Sequence, residues 1–488
     1  MRSRSPIRAA GRRRSPARVP AGTASGAVRW LLPLLIAVGV TGLYWAVLPH
    51  RLDALRPLAT PVPAPTGDEP YYLEMALSLL RYGSLELTRA RSIDQLYSEF
   101  YPEPLLGHQA TSPRGHVSKH YPGLSVLIAP LYLAGDLLGG GAYGAGRFAV
   151  ALALGGVGGL VALNVFLLAR EAGGGTRWSA VVAIVLAMTS PLLSYSFLIF
   201  PELPAALLTV YAFRRARLTN GAGQTFLAGA AIGLLPWLQP RFLLLSLALA
   251  LWFTIGRRRT AREVARLLVP ATFSAVGFVL YDLWAFGSPL PNSGDHAGFG
   301  GIEQIGFGVA GLLLDQQWGL LIYGPIFLLV AAGLPPLVVS RRRDALGLLL
   351  VTLPYFLLIA AYRHWWGEWG PPARYLTPLV PLAALPLAAA RPERWWQRVI
   401  VAVLALPSLA VGALFIVWPE TMYNHPTGQG HLWLRLAELG LPNLVPYLPS
   451  FVAPRADDTL LMTLWIVLAG VLGALLTLMG PSSRAAGR

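Results

Sequence analysis

The sequence predicts an all-α polytopic membrane protein of about twelve transmembrane helices, and three observations predict it. Apolar residues make up 55% of the 488 and charged residues only 13%, too little charge to cover a soluble chain of this length. Apolar runs near 20 residues recur throughout, the length a helix needs to cross hydrocarbon. Arginines gather in the short connections between alternate runs, as cytoplasmic loops do. Cysteine is absent, which excludes disulfides, a thiol nucleophile and Cys-based metal sites.

Residues 1–29 hold eight arginines and no acid, spaced by Pro, Ser and Gly. They read as a disordered basic cytoplasmic tail on anionic lipid. Nucleic-acid binding is set aside, because a basic flank before a first span is ordinary. The run 30–48 is too long for a signal-peptide core and has no small-x-small cleavage site, so it reads as a retained anchor. Further runs lie at 147–169, 178–197, 201–213, 226–239, 241–256, 264–286, 319–339, 345–361, 375–390, 398–418 and 459–479. Whether 226–239 and 241–256 both span is open, since each is short.

The run 122–138 contains Pro130 and Asp136 and decides the sidedness of everything after it. With 122–138 in the interface, Arg170, Arg177, Arg214, Arg257 to Arg259, Arg341 to Arg343 and Arg391 all fall on the side of the N-terminus. With 122–138 spanning, all of them flip outward, against the positive-inside rule. The predicted organisation is a transmembrane domain over 30–479, a short tail over 480–488 and both termini cytoplasmic, in the plasma (inner) membrane. Segments 49–121, 287–318, 362–374 and 419–458 are then extracytoplasmic, and so is any chemistry.

In the first of these, "TGDEPYYLEMALSLLRYG" places Asp68 and Glu69 before a run with helical spacing: Tyr72, Leu73, Met75, Ala76, Leu79 and Leu80 share one face, and Glu74, Ser78 and Arg81 the other. This predicts an amphipathic surface helix, with 122–138 as a second. The helix dipole favours two ionised carboxylates at its N-terminus; a plain capping role for Asp68 is the alternative. Lys119, the only lysine in the chain, precedes His120 and the second helix, where a lipid phosphate would lie. Glu202 stands between Pro201 and Pro204 at the lip of a span, as a functional acid or a cap. Arg241 is a lone outward cation that wants an anion, and Asp282 is a candidate partner. "YRHWWGEWGPPARYLTPLVPLAALP" combines Arg363, His364, Trp365, Trp366, Glu368, Trp369 and Arg374. Its tryptophans suit an interfacial belt or a sugar face beside phosphate-forking arginines. No Walker motif, nucleophile elbow, His-x-x-x-His or outward Asp-x-Asp pattern occurs; "GGGAYGAGR" is a Gly-rich turn without a preceding strand.

These motifs together resemble the GT-C superfamily of integral-membrane glycosyltransferases, which includes protein O-mannosyltransferases and the lipid A aminoarabinose transferase. "GDEPYY" is similar to the family's Asp–Glu motif, and "KHYPGLSVLIAPLYL" to its Lys/His-Pro-Pro element, with Gly123 in place of one proline. "FPELPA" falls where the family places a second acid. "WWGEWGPPARYLTPLVP" is similar to a stretch of bacterial members. The resemblance implies a GT-C-like fold and transfer of a hexosyl or pentosyl group from a polyprenyl-phosphate sugar to an acceptor hydroxyl on protein, lipid or glycan, with inversion. It implies Asp68 as general base, aided by Glu69, and Lys119, His120, Arg241 and Arg374 around the donor phosphate. Tyr71, Glu202, Trp365, Trp366 and Glu368 would line the sugar and acceptor. No cofactor is expected; a divalent cation on the adjacent acids stays open. A lipid-sugar flippase or other transporter is the alternative from another class. A glycan ligase with a pyrophosphate-linked donor would also need Arg363.

Overall fold

The computed structural model describes residues 26–54, 67–101, 104–105, 109–141, 144–291, 298–455 and 458–478. Most of the predicted basic tail and all of 480–488 lie outside the described residues. The helices are α1 (Gly26–Ala54), α2 (Glu69–Tyr82), α3 (Gly123–Leu138), α4 (Ala145–Glu171), α5 (Thr176–Met188), α6 (Glu202–Arg217), α7 (Ala222–Leu238), α8 (Leu243–Ile255), α9 (Ala261–Phe286), α10 (Ile302–Leu314), α11 (Leu320–Tyr323), α12 (Leu329–Ser340), α13 (Arg342–Ala361), α14 (Ala384–Ala389), α15 (Trp395–Val417), α16 (His431–Glu438) and α17 (Asp458–Thr477). One antiparallel hairpin, β1 (Gln109–Ser112) and β2 (Gly115–Ser118), sits before α3, with Ala110 opposite Val117.

The protein is an all-α multi-pass membrane protein. Among the described residues, six helices are long and apolar enough to cross a membrane: α1, α4, α9, α13, α15 and α17. Most of the remaining predicted runs form shorter apolar helices, and several of them are interrupted by their own sequences. The run 319–339 breaks at Gly324–Pro325 into α11, a 3-10 turn and α12. The run 375–390 breaks at Pro378 and Pro381 and becomes helical only in α14; each proline lacks the N–H that a continuing helix needs. The runs 226–239 and 241–256 become α7 and α8, joined by the 3-10 turn Pro240–Phe242. Helix α10 lies inside 287–318, where no helix was expected; at 13 residues it is too short to register as a span.

The long helices pack through small residues. Gly155 of α4 lies against Trp45 of α1, Gly158 against Tyr44 and Gly159 against Thr41, so close that a Cβ on either of the last two would collide; small residues let membrane helices approach this way. Tyr44 then reaches across to donate to the Ala187 carbonyl at 2.5 Å. At the far end of α4, Glu171 pairs with Arg214 and Arg217 of α6, and Arg217 with Asp344 of α13 at 2.6 Å, tying three helices together.

Helix α2 corrects the expectation of a surface helix with a wet face. Pro70 at its start and Gly83 in the left-handed region at its end bound it as expected. Glu69 through Ser78 are all buried, Glu74 and Ser78 included. Arg91, from the loop after the helix, covers the supposed polar face with a bidentate pair to Glu74. Helix α3 packs one side on α2 and α4. Its other side is also apolar, exposing Val126, Leu127, Leu131, Leu133 and Leu137, so it suits lipid rather than water.

Candidate active site

Four chain segments deliver charge to one place beside the start of α2. Asp68 is held at the N-cap position of α2 but bonds no helix amide. Its carboxylate meets the Arg374 guanidinium, 306 residues away in sequence. The capping alternative for Asp68 is therefore not its role in this structure. Arg374 Nε also donates to Glu202 Oε1 at 2.9 Å, and Nη1 to the Gly367 carbonyl at 3.0 Å. Glu202 Oε1 in turn accepts from Arg241 Nη2 at 2.7 Å. The result is an alternating row, Asp68–Arg374–Glu202–Arg241.

Local structure explains each placement. Glu202 opens α6, where the helix dipole favours its charge. Arg241 is projected by the 3-10 turn between α7 and α8. Gly367 has φ +83°, and Arg374 Cδ lies 3.0 Å from where its Cβ would be; a side chain there would displace the arginine. Aromatic faces line the row: Phe200 lies 4.6 Å from the Arg374 guanidinium and Tyr375 4.4 Å from that of Arg241. Cations on ring faces gain more when desolvated, and Glu202 and Arg374 are buried. Asp68 keeps some solvent access, with 15% of its side chain exposed.

Glu69 turns the other way. Its Oε2 accepts from Arg147 Nη2 of α4 at 2.8 Å and its Oε1 from the Ile199 backbone N–H at 2.7 Å. Divergence relieves the repulsion between neighbouring carboxylates. It also makes Glu69 the tie between α2, α4 and the segment leading into α6. His120 is buried against Tyr71 and Tyr72, with ring centroids 5.5 and 5.0 Å away. Tyr72 accepts from Gln239 Nε2 at 2.6 Å. Burial pushes the Tyr71 phenol up to about 12, against the pull of Arg91, so it stays a protonated donor at neutral pH.

The remaining predicted residues stand apart from the charged row. Lys119 is half-buried at the end of β2, and no described residue pairs with its ammonium. Trp365 is buried over Gly311, Trp366 is half-buried, and Glu368 is exposed, 2.8 Å from His364 Nδ1. Arg363 is exposed. Asp282 does not partner Arg241: it accepts from the Tyr121 hydroxyl at 2.5 Å, fastening the segment between β2 and α3 that carries Lys119 and His120. Among the described residues no three His, Asp or Glu side chains converge as metal ligands.

Sequence reasoning missed Arg147, buried inside what read as a Gly-rich turn, and Arg51. Arg51 is buried and bonded to the Leu193 carbonyl and Ser196 Oγ, both at 3.1 Å. The predicted topology puts both arginines on the outward side, where the positive-inside rule expects fewer cations, and that was the available signal.

No protein-family model and no curated protein matches the chain. Three solved structures of the oligosaccharyltransferase of Archaeoglobus fulgidus are similar to it. One, tethered to an acceptor peptide with the NVT sequon, is 15% identical with a TM-score of 0.43, over 80% of this chain and 56% of that one. The apo form is 14% identical with a TM-score of 0.44, over 86% and 60%. The complex with an inhibitory peptide and a dolichol-phosphate is 13% identical with a TM-score of 0.45, over 87% and 59%. The chain spans less than two thirds of the length of these proteins.

Proposed function

We propose that this protein is an inverting membrane glycosyltransferase that moves a sugar from a polyprenyl-phosphate carrier to an acceptor hydroxyl, on the extracytoplasmic face of the plasma membrane. The observation that carries the reading is the row Asp68–Arg374–Glu202–Arg241: a partly accessible carboxylate beside two fixed guanidiniums among aromatic rings. The arginine-rich connections at the opposite end support the sidedness.

Asp68 takes the proton of the acceptor hydroxyl as its oxygen attacks the anomeric carbon. The bond from that carbon to the phosphate oxygen breaks, and its electron pair leaves on the lipid phosphate. Arg374 and Arg241 stabilise the charge that develops there, and preorganised cations in a water-poor site do so without reorganising. Lys119, unpaired by any described residue and next to His120, extends the cationic side toward the lipid headgroup. Glu69 holds the Asp68 backbone in place through Arg147. The products are the glycoside and polyprenyl phosphate.

The test is native mass spectrometry of the detergent-purified protein with a set of polyprenyl-phosphate sugars, wild type beside Asp68→Asn. One lipid-sugar should bind both, and wild type should convert it to polyprenyl phosphate when acceptor is supplied. The variant should be slower by about 10²–10⁴-fold, the usual contribution of a general base. Equal turnover in Asp68→Asn removes that residue from the chemistry. Binding without any loss of sugar in wild type points to a flippase.

A further inference from the structure

Helix α4 has 27 residues, so its two ends lie about 40 Å apart. Its first turn carries Arg147, the partner of Glu69; its last turn runs into the glycine loop 172–175 that opens α5. That loop is far from the candidate active site. Gly173 and Gly175 have φ of +92° and +70°, and two arginines from distant segments lean over them. Arg341, after α12, places Nη2 3.3 Å from where a Cβ on Gly173 would sit, and Arg391, after α14, places Nη1 3.2 Å from the same point on Gly175.

These cations are not capping α4. Its last carbonyls are already taken within the loop: Leu168 by the Ala172 N–H, Arg170 by Gly173 and Ala169 by Gly174. They lie instead against the N-terminus of α5, which has no side-chain cap. A helix N-terminus carries partial positive charge, so two guanidiniums there are an arrangement of one sign that an anion would complete. The neighbouring carboxylates are engaged elsewhere: Glu171 by Arg214 and Arg217, and Asp344 by Arg217, with Arg341 only at 3.8 Å. Among the described residues Arg391 has no carboxylate partner. A second feature points the same way. Ser179, in the first turn of α5, is fully buried and its hydroxyl has no hydrogen-bond partner. That hydroxyl sits 3.0 Å from the Cβ position of Gly174, directly under the loop.

We propose that loop 173–176, with Arg341 and Arg391, is a binding site for a phosphate group at the end of the bundle opposite Asp68. The N–H groups in the first turn of α5, which have no acceptor within the helix, supply the donors, as in other phosphate sites at helix N-termini, and the two guanidiniums clamp the oxygens. Glycine suits positions 173 and 175 because their φ of +92° and +70° lies where other residues are strained.

The test uses the full chain in neutral detergent, with phosphatidylglycerol and sodium phosphate as separate probes. Native mass spectrometry counts lipid retained, and a melting curve follows protection by phosphate. The variants are Arg341→Gln/Arg391→Gln and, as a control on the same end, Arg257→Gln/Arg258→Gln. The loop pair should bind one of the probes at least about tenfold more weakly, the loss of two charge-assisted contacts, and the control pair should match wild type. Loss of phosphatidylglycerol retention identifies the phosphate as a lipid headgroup; loss of phosphate protection identifies it as a free anion. If the loop pair binds both probes like wild type, or if the control pair loses as much as the loop pair, the proposal is overturned.

Discussion

Arg374→Gln is expected to slow single-turnover transfer by about 10²–10³-fold, the cost of removing one preorganised charge-stabilising donor. Arg374 meets both Asp68 and Glu202. In the proposed reaction its replacement removes the cation next to the departing phosphate and frees the base to reorient. Arg374→Lys should not restore the rate: an ammonium cannot reproduce the planar fork that meets Asp68, Glu202 and the Gly367 carbonyl together. Arg241→Gln should cost less, because Arg241 meets Glu202 and stands one carboxylate further from Asp68. The measurement is loss of sugar from a saturating lipid-sugar in a rapid-quench experiment. If Arg374→Gln stays within a few-fold of wild type, the leaving phosphate is not held there.

The largest effect on stability is expected at the pair behind the base. Glu69 and Arg147 are both buried, 0% and 3% exposed at their side chains. Removing one member of a buried pair strands the other charge, at a cost of about 3–5 kcal/mol. Arg147→Met and Glu69→Met should each lower the melting midpoint sharply. The double variant should recover much of the loss, because two apolar side chains leave no unpaired charge. It should not recover all of it, since the Ile199 N–H also loses its acceptor, worth about 1–3 kcal/mol. A double variant that melts as low as the sum of the singles would show the two residues to be uncoupled.

Both predictions rest on residues that were unequally legible in the sequence. The long helices α1, α4, α9, α13, α15 and α17 declared themselves, because length and unbroken hydropathy are local properties. The breaks in 319–339 and 375–390 did not, although Gly324, Pro325, Pro378 and Pro381 mark them. Hydropathy does not register an interruption that surrounding protein can shelter. Asp68, Glu202, Arg241 and Arg374 stood out as charges in apolar surroundings. Their order along one row was not legible, because it depends on contacts up to 306 residues apart. Glu74 was misread for a related reason: a helical wheel assigns a polar residue to water, and only the folded loop shows that Arg91 covers it. Arg147 hid inside "GGGAYGAGR", where the glycines drew the reading toward a turn.

The row Asp68–Arg374–Glu202–Arg241 carries two acids and two bases, so the cluster sums to zero and can be assembled away from water without a bound ion. Under the proposed function this sets a sequence of events for a glycosyl donor. An arriving phosphate competes with Asp68 for Arg374, and the base becomes free to accept a proton only as that contact is exchanged. Donor binding thus arms the site, and an acceptor that arrives first meets a carboxylate still locked in its ion pair. The kinetic signature is compulsory order: acceptor binding undetectable on the resting protein, and polyprenyl phosphate, released last, inhibiting competitively against donor but not against acceptor.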